Sequence, residues 1–167
     1  MAEQNMHGTS VTVVIPNYNG LKFMEPCMAA LEKQTCKDFE ILVVDNGSSD
    51  GSVDWLRSHQ YPTIFLEENT GFSGAVNVGI KASKTPFVLL LNNDTEVEPG
   101  FTDALVGALE ADVRAFSAQA KLIQLQDPLK LDDAGNFYCA LGWAFARGKD
   151  RPSADYEEQD EVFAACA

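Results

Sequence analysis

The sequence predicts an α/β fold: an open, mainly parallel sheet with helices on both faces. Three observations carry that expectation. Apolar, β-branched runs of strand length alternate with amphipathic stretches of helix length through about the first 120 residues. Each of the main apolar runs ends abruptly in Asn, Asp, Gly or Ser, as when a buried strand delivers polar groups to one rim. The chain has 167 residues, of which 46% are hydrophobic, enough to bury the core such a sheet needs.

Val11-Thr-Val-Val-Ile15 is β-branched and bounded by Pro16, Asn17 and Gly20, so it reads as a short buried strand closed by a turn. In the helix that follows, Phe23, Met24, Cys27, Met28 and Leu31 share one face. Phe39 to Val44 is a second strand, running straight into Asp45-Asn-Gly-Ser-Ser-Asp50. Ser49 and Ser52 are both suitable N-caps for a short helix carrying Val53, Trp55 and Leu56.

Thr63 to Leu66 is a third strand, followed by Glu67-Glu-Asn-Thr-Gly71 and a helix from about Ser73 to Ala82, rich in small residues. Pro86 to Leu91 makes the fourth strand. Pro99 opens a helix with Phe101, Ala104, Leu105 and Leu109 inward, and Ala115 to Ile123 has strand character. From Leu125 the pattern breaks down into expected loop, with an aromatic island from Phe137 to Phe145. These patterns divide the chain into a frayed tail (1–10), an α/β core (11–124) and an incomplete further region (125–167). Phe163-Ala-Ala-Cys-Ala167 stops in an apolar run without a stop signal, the mark expected of a C-terminally truncated piece.

The formal net charge of −13 repels polyanions, and no basic stripe is present to grip a phosphate backbone. Nucleic acid is therefore not an expected partner. No run approaches the roughly 18 apolar residues of a membrane span, and the N-terminus lacks the order of a signal peptide. The expected location is cytoplasmic. Cys27, Cys36, Cys139 and Cys166 form no CxxC pair and read as buried or free thiols, while His7 and His59 are poor general bases by position.

Two nucleotide signatures fail. Pro16-Asn-Tyr-Asn-Gly20 stands where a dinucleotide fold needs GxGxxG, and Asn69-Thr-Gly-Phe-Ser-Gly74 lacks the Lys-Ser or Lys-Thr of a P-loop. Four other segments, in order, resemble the family 2 glycosyltransferases. They are Val13-Val-Ile-Pro-Asn-Tyr-Asn-Gly20, Leu42-Val-Val-Asp-Asn-Gly-Ser-Ser-Asp-Gly51, Asn69-Thr-Gly-Phe-Ser-Gly-Ala-Val-Asn-Val-Gly79 and Leu90-Leu-Asn-Asn-Asp-Thr-Glu96. Their wording is most similar to the bacterial branch that includes rhamnosyltransferases of cell-surface polysaccharide assembly.

The resemblance implies a GT-A fold and an inverting, metal-assisted transfer from a nucleoside-diphosphate sugar, dTDP- or UDP-linked, to a glycan or lipid-linked acceptor. It also extends the expected location to the inner face of the plasma membrane. Carried over residue by residue, it implies donor binding by Pro16, Tyr18, Asp45, Asn46, Gly71, Asn77 and Asn93. Tyr18 would lie against the base. Asn46 would offer its amide oxygen where many relatives place an acid that accepts the base's ring N–H, a neutral acceptor of about half the strength of a charged one. Asn93 would meet the ribose hydroxyls, and Asp94 would hold Mg2+ or Mn2+ from the position of the family's DxD motif.

The cation answers a physical need. A phosphate charge at ~4 Å from an acid is repelled by about 1 kcal/mol in water and ~4 kcal/mol at an effective dielectric of 20. Strand alternation, continued past Leu91, would place Asn92, Asp94 and Glu96 on one side and Asn93 on the other. The catalytic base is expected beyond Ala167, leaving Asp132, Asp133, Glu157, Glu158 and Asp160 as solvated loop charges. An apolar edge left by truncation would favour self-association. Two alternatives stand beside this reading: a non-catalytic nucleotide-binding module and an unrelated α/β oxidoreductase.

Overall fold

A computed structural model describes residues 10–165. The expected tail apart from Ser10, together with His7 and Cys166, lies outside the described residues. The chain forms two compact units that divide after Asp103. That division precedes the change of sequence pattern at Leu125.

In the first unit, four strands β1 (Val11–Asn17), β2 (Phe39–Asp45), β3 (Thr63–Phe65) and β4 (Phe87–Leu90) pair in the order β3-β2-β1-β4. All three pairings are parallel, as the alternation of elements predicts. The connecting helices are α1 (Leu21–Glu32), α2 (Ser52–Ser58) and α3 (Gly71–Ala82). Right-handed crossovers then place α1 and α2 on one face and α3 on the other, because β1 to β2 to β3 moves one way along the sheet and β3 to β4 returns. Burial agrees with two covered faces: Val11, Val13 and Ile15 are as deeply buried as Val14 on the opposite side of the same strand.

α3 approaches the sheet closely because its inner face is small. Ala75 packs with Val14 and Val44, flanked by Leu66, Val78 and Leu90. A methyl group at Gly79 would overlap the side chain of Val14. On the other face, Met24, Cys27, Met28 and Leu31 of α1 are buried, as their spacing predicts.

The caps differ from expectation. Neither Ser49 nor Ser52 caps α2; Gly51, with φ 96°, precedes it and Ser52 is its first residue. Asp50 supplies the missing acceptors. One of its oxygens takes the Ser52 N–H at 3.0 Å and the other takes the Leu21 N–H at 2.9 Å, so a single carboxylate serves the first turns of α1 and α2. Partial burial pushes the Asp50 carboxyl up, but the bonds from Ser52 and Leu21 outweigh it and hold the group below its ordinary value of 3.8.

α4 spans Phe101–Ala111, with Thr102 its buried residue; Ala104, expected inward, is exposed. Gln34 holds the start of this helix, accepting from the Thr102 N–H at 3.2 Å and donating to the Glu98 carbonyl at 2.8 Å.

The second unit corrects the expectation of loop. Of the strand expected over 115–123, only the end forms, as part of β5 (Leu122–Gln124), which pairs antiparallel with β6 (Asp127–Asp133). The aromatic island becomes a second hairpin, β7 (Asn136–Tyr138) with β8 (Ala144–Ala146), and a 3-10 turn covers Ser153–Tyr156. Asp132 and Asp133 are therefore strand residues. Asp132 binds Lys149, Glu157 binds Lys121 and Asp160 binds Arg147, so these are paired rather than merely solvated. Asp133 is buried, accepts from Gln119 at 3.1 Å through Oδ2, and has no partner for Oδ1 among the described residues.

Two outcomes follow from this packing. Gly79→Ala gains about 1 kcal/mol of helix propensity but loses about 1–3 kcal/mol to overpacking against Val14, so the urea midpoint falls. For Asp50, whose folded value is lowered, the stabilisation is complete above the unfolded value of 3.8 and is lost as pH falls through the lower folded one. Asp50→Asn should therefore lower stability at neutral pH and flatten its decline on the acid side, measured by urea unfolding at a series of pH values.

Candidate functional site

The parallel strands point their carboxyl ends to one rim, and three of those ends are joined by side chains. Asn17, the last residue of β1, is 1% exposed and lies in register with Asp45, the last of β2. Its Nδ2 donates to Asp45 Oδ2 at 2.8 Å and to Ser48 Oγ at 3.2 Å. Its Oδ1 accepts from Asn93 Nδ2, just past β4, at 2.7 Å. A methyl group at Gly20 would fall on this last contact, so the glycine after the first strand keeps its space open.

Beside this junction lies a cleft of about 270 Å³. Pro16, Asn17 and Tyr18 line it from β1 and its turn, Asn46 from the end of β2, and Asn69, Gly71, Phe72 and Ala75 from the loop and first turns of α3. Tyr18 and Phe72 are each about half exposed, at 51% and 52%, which leaves ring surface open to a ligand.

Asn46 is 3% exposed and uses its whole amide on the loop across the cleft. Nδ2 donates to Asn69 Oδ1 at 3.0 Å and to the Gly71 carbonyl at 3.2 Å. Oδ1 accepts from the Thr70 N–H at 2.9 Å and from Thr70 Oγ1 at 3.0 Å. Asn69 Oδ1 also accepts from the Gly71 N–H at 2.8 Å, and Gly71 holds φ at 78°.

Of the residues singled out from sequence, the cleft brings together Pro16, Tyr18, Asn46 and Gly71. Asp45 is outside the lining: it is 1% exposed, and its two oxygens take Asn17 Nδ2 and the Ser48 N–H. Asn77 is exposed on α3 and also outside, because two residues beyond Ala75 is more than half a turn round the helix. Asn93 is engaged with Asn17, so its amide nitrogen serves the rim itself.

The expected alternation beyond Leu91 does not occur. β4 ends at Leu90 and the chain turns, with the Thr95 N–H and Oγ1 both donating to the Asn92 carbonyl. Asn92, Asp94 and Glu96 therefore do not share a strand face.

Asp94 and Glu96 are exposed carboxylates without a hydrogen bond or ion pair among the described residues. Their field is felt nearby. Burial pushes the Cys27 thiol up to about 11, and the charges of Asp94 and Glu96 push it the same way. Unpaired carboxylate oxygens suit a hard cation such as Mg2+ or Mn2+. Among the described residues no group of three or more His, Cys, Asp or Glu side chains could hold an ion. The donor set thus fits a cation that draws further oxygens from a ligand and water, and does not fit a closed protein cage.

Sequence reasoning missed Asn17, Asn69, Phe72 and Ala75. Phe72 carried a signal, since an aromatic between two glycines, Gly71 and Gly74, at the start of a helix has little core to fill. Asn17 carried none, because its role depends on a pairing with residues 28 and 76 positions away.

Residues 12–144 match the family described as Glycosyl transferase family 2. An uncharacterized glycosyltransferase of Escherichia coli, YibD, is 34% identical over 115 residues, covering 66% of this chain and 33% of that protein. Cholesterol galactosyltransferase of Borreliella burgdorferi is 27% identical over 114 residues, covering 66% of this chain and 32% of that protein. The crystal structure of Staphylococcus aureus TarS 1–349 in complex with UDP has a TM-score of 0.54 and 25% identity, covering 61% of this chain and 32% of that one. That likeness bears out the GT-A fold. The chain spans about a third or less of the length of the relatives it matches here.

The junction at Asn17 yields an expected outcome. Asn17→Ala leaves the buried Asp45 carboxylate short of a donor and frees Asn93. Leaving one buried hydrogen-bonding group unsatisfied costs about 1–3 kcal/mol, more when it is charged, so urea unfolding should show a loss of at least that size.

Proposed function

Because the chain belongs to glycosyl transferase family 2, we propose that it is the donor-binding part of an enzyme that transfers a sugar from a nucleoside diphosphate. The family match overturns the oxidoreductase alternative. The observation that carries the proposal is the cleft at the carboxyl ends of β1 and β2, with two half-exposed aromatic rings at its wall. Ligands of open parallel sheets bind at this edge, and TarS was crystallised with UDP. Uridine and thymidine diphosphates are accordingly the proposed nucleotides.

In this reading Tyr18 and Phe72 offer faces to the base, and Pro16 and Gly71 shape the walls between which it slides. Asp94, with Glu96 nearby, would hold Mg2+ or Mn2+, which when bound supplies positive charge to the diphosphate and to the leaving nucleotide. A cation is needed on physical grounds, since the net charge of −13 otherwise opposes a diphosphate. Inversion at the sugar carbon and an acceptor that is a glycan or lipid-linked glycan belong to the proposal for the whole protein, as does a place in bacterial cell-surface polysaccharide synthesis. This chain is assigned donor binding, and removal of the proton from the attacking hydroxyl is assigned to no residue of it. Among the described residues no helix is long and apolar enough to cross a membrane, in keeping with a proposed cytoplasmic site at the membrane face. Leu129, Leu141, Trp143 and Phe163, each more than two-thirds exposed, make self-association a further part of the proposal.

Calorimetric titration of UDP and dTDP, with and without Mn2+, tests this directly. Tyr18→Ala should weaken both nucleotides about three- to tenfold, the value of an aromatic face. Asp94→Ala should abolish the gain in affinity that Mn2+ gives while leaving metal-free binding in place. A metal response unchanged by Asp94→Ala removes that residue from the role, and no binding of either nucleotide overturns the proposal.

A further inference from the structure

We propose that Asn46 does not read the base but clamps the loop that forms the opposite wall of the cleft, and that the cleft consequently accepts uridine and cytidine diphosphates alike. The inference rests on the nucleotide-binding reading above.

A primary amide has two N–H donors and an oxygen with two lone pairs. At Asn46 all four are taken inside the protein, by Asn69 Oδ1, the Gly71 carbonyl, the Thr70 N–H and Thr70 Oγ1. A ring N–H of a base could reach the Asn46 oxygen only by displacing Thr70, and the backbone of Asn46 is itself tied, its N–H donating to the Asn17 carbonyl at 2.8 Å. The loop in turn depends on this amide. Residues 69–71 carry Phe72 into the cleft wall, and Asn46 supplies a bond to each of the three.

The remaining polar side-chain groups of the lining decide selectivity. Asn17 is committed to Asp45, Ser48 and Asn93. Asn69 uses Oδ1 within the loop, and among the described residues its Nδ2 has no partner. Tyr18 offers a hydroxyl that donates or accepts equally well. No carboxylate lines the cleft. The one committed free group is thus a donor, matched to a carbonyl oxygen. Uracil and cytosine share the carbonyl at ring position two and differ at position three, where uracil donates and cytosine accepts. A wall whose free groups are an amide N–H and a hydroxyl recognises what the two have in common.

The test is calorimetry with UDP and CDP on the wild-type chain, on Asn46→Asp and on Asn69→Asp. The expected wild-type affinities agree within about tenfold, the factor that one hydrogen bond to a charged acceptor would exceed. Asn46→Asp replaces the amide nitrogen, with both of its N–H donors, by one oxygen facing Asn69 Oδ1 and the Gly71 carbonyl. It should lower Tm and weaken both nucleotides in parallel. Asn69→Asp keeps the oxygen that accepts from Asn46 and Gly71 but removes the free donor. It should melt close to wild type and weaken both nucleotides.

UDP preferred over CDP by more than about tenfold in the wild type overturns the inference, as does selective tightening of UDP by Asn46→Asp, the result expected if residue 46 reads the ring N–H. Should Asn46→Asp fail to fold, the wild-type ratio and Asn69→Asp still decide. Failure of the wild type to bind either nucleotide overturns the proposed function along with this inference, whereas binding with strong selectivity overturns the inference alone.

Discussion

The rim of this sheet depends on one buried side chain. Asn17 donates to the end of β2 and accepts from the turn after β4, so its amide fixes the relative positions of three strand ends. An amide suits this position because it offers donors and acceptors at once. A carboxylate in its place would face Asp45, and an apolar residue would leave Asp45 buried and short of a donor. Everything above the sheet inherits its position from this junction: the turn carrying Tyr18 leaves from the next residue, and the loop after β2 starts with the same Asp45.

Beyond the junction the loops are joined by capping rather than by apolar packing. Asp50 reaches from the β2–α2 loop to the first N–H of α1, and Asn19 accepts the Ser49 N–H at 2.8 Å from the opposite side. Asn46 does the same for the start of α3. Each of these acceptors is a short side chain on a loop, and each satisfies backbone donors that the start of a helix or a tight turn leaves open. The outcome is a rim whose backbone is held in place while its rings and its acids at 94 and 96 stay exposed. Rigid backbone with open side chains is what a binding surface requires.

Much of this was legible in the sequence, and the boundary follows a physical line. The four parallel strands and the α1 and α3 helices came from local periodicity, because alternation and helical spacing are written in neighbouring residues. Tyr18, Asn46 and Gly71, which the family resemblance singled out, line the cleft and sit in polar segments that follow apolar runs. What local pattern could not supply was the direction of individual side chains. Asp45 and Asn46 are adjacent, yet one turns into the junction and the other toward the cleft, and only the register of β1 against β2 decides which. The same holds past Leu90, where a turn closed by Thr95 replaced the extended path. In the second unit, strands of three residues such as β5 and β7 are too short to show a period, and their pairing came from contacts the sequence does not announce.

The distribution of amides and acids along the rim has an electrostatic consequence. Asn17, Asn46, Asn69, Asn92 and Asn93 place neutral groups where each additional carboxylate would add roughly 1 to 4 kcal/mol of repulsion toward an anion about 4 Å away. The buried acid, Asp45, is surrounded by donors from Asn17 and Ser48, which shield its charge from the cleft. Asp94 and Glu96 are exposed at the turn after β4, and the raised thiol of Cys27 registers both of them. A cleft lined by no carboxylate, with two exposed acids at a separate turn, separates two tasks. The neutral part can take up an uncharged base by contact and hydrogen bonding, and the anionic turn is where a cation would change the sign of the field for a diphosphate. A carboxylate in place of Asn46 or Asn69 would merge these tasks, since the cleft lining would then repel the group that the cation is meant to attract.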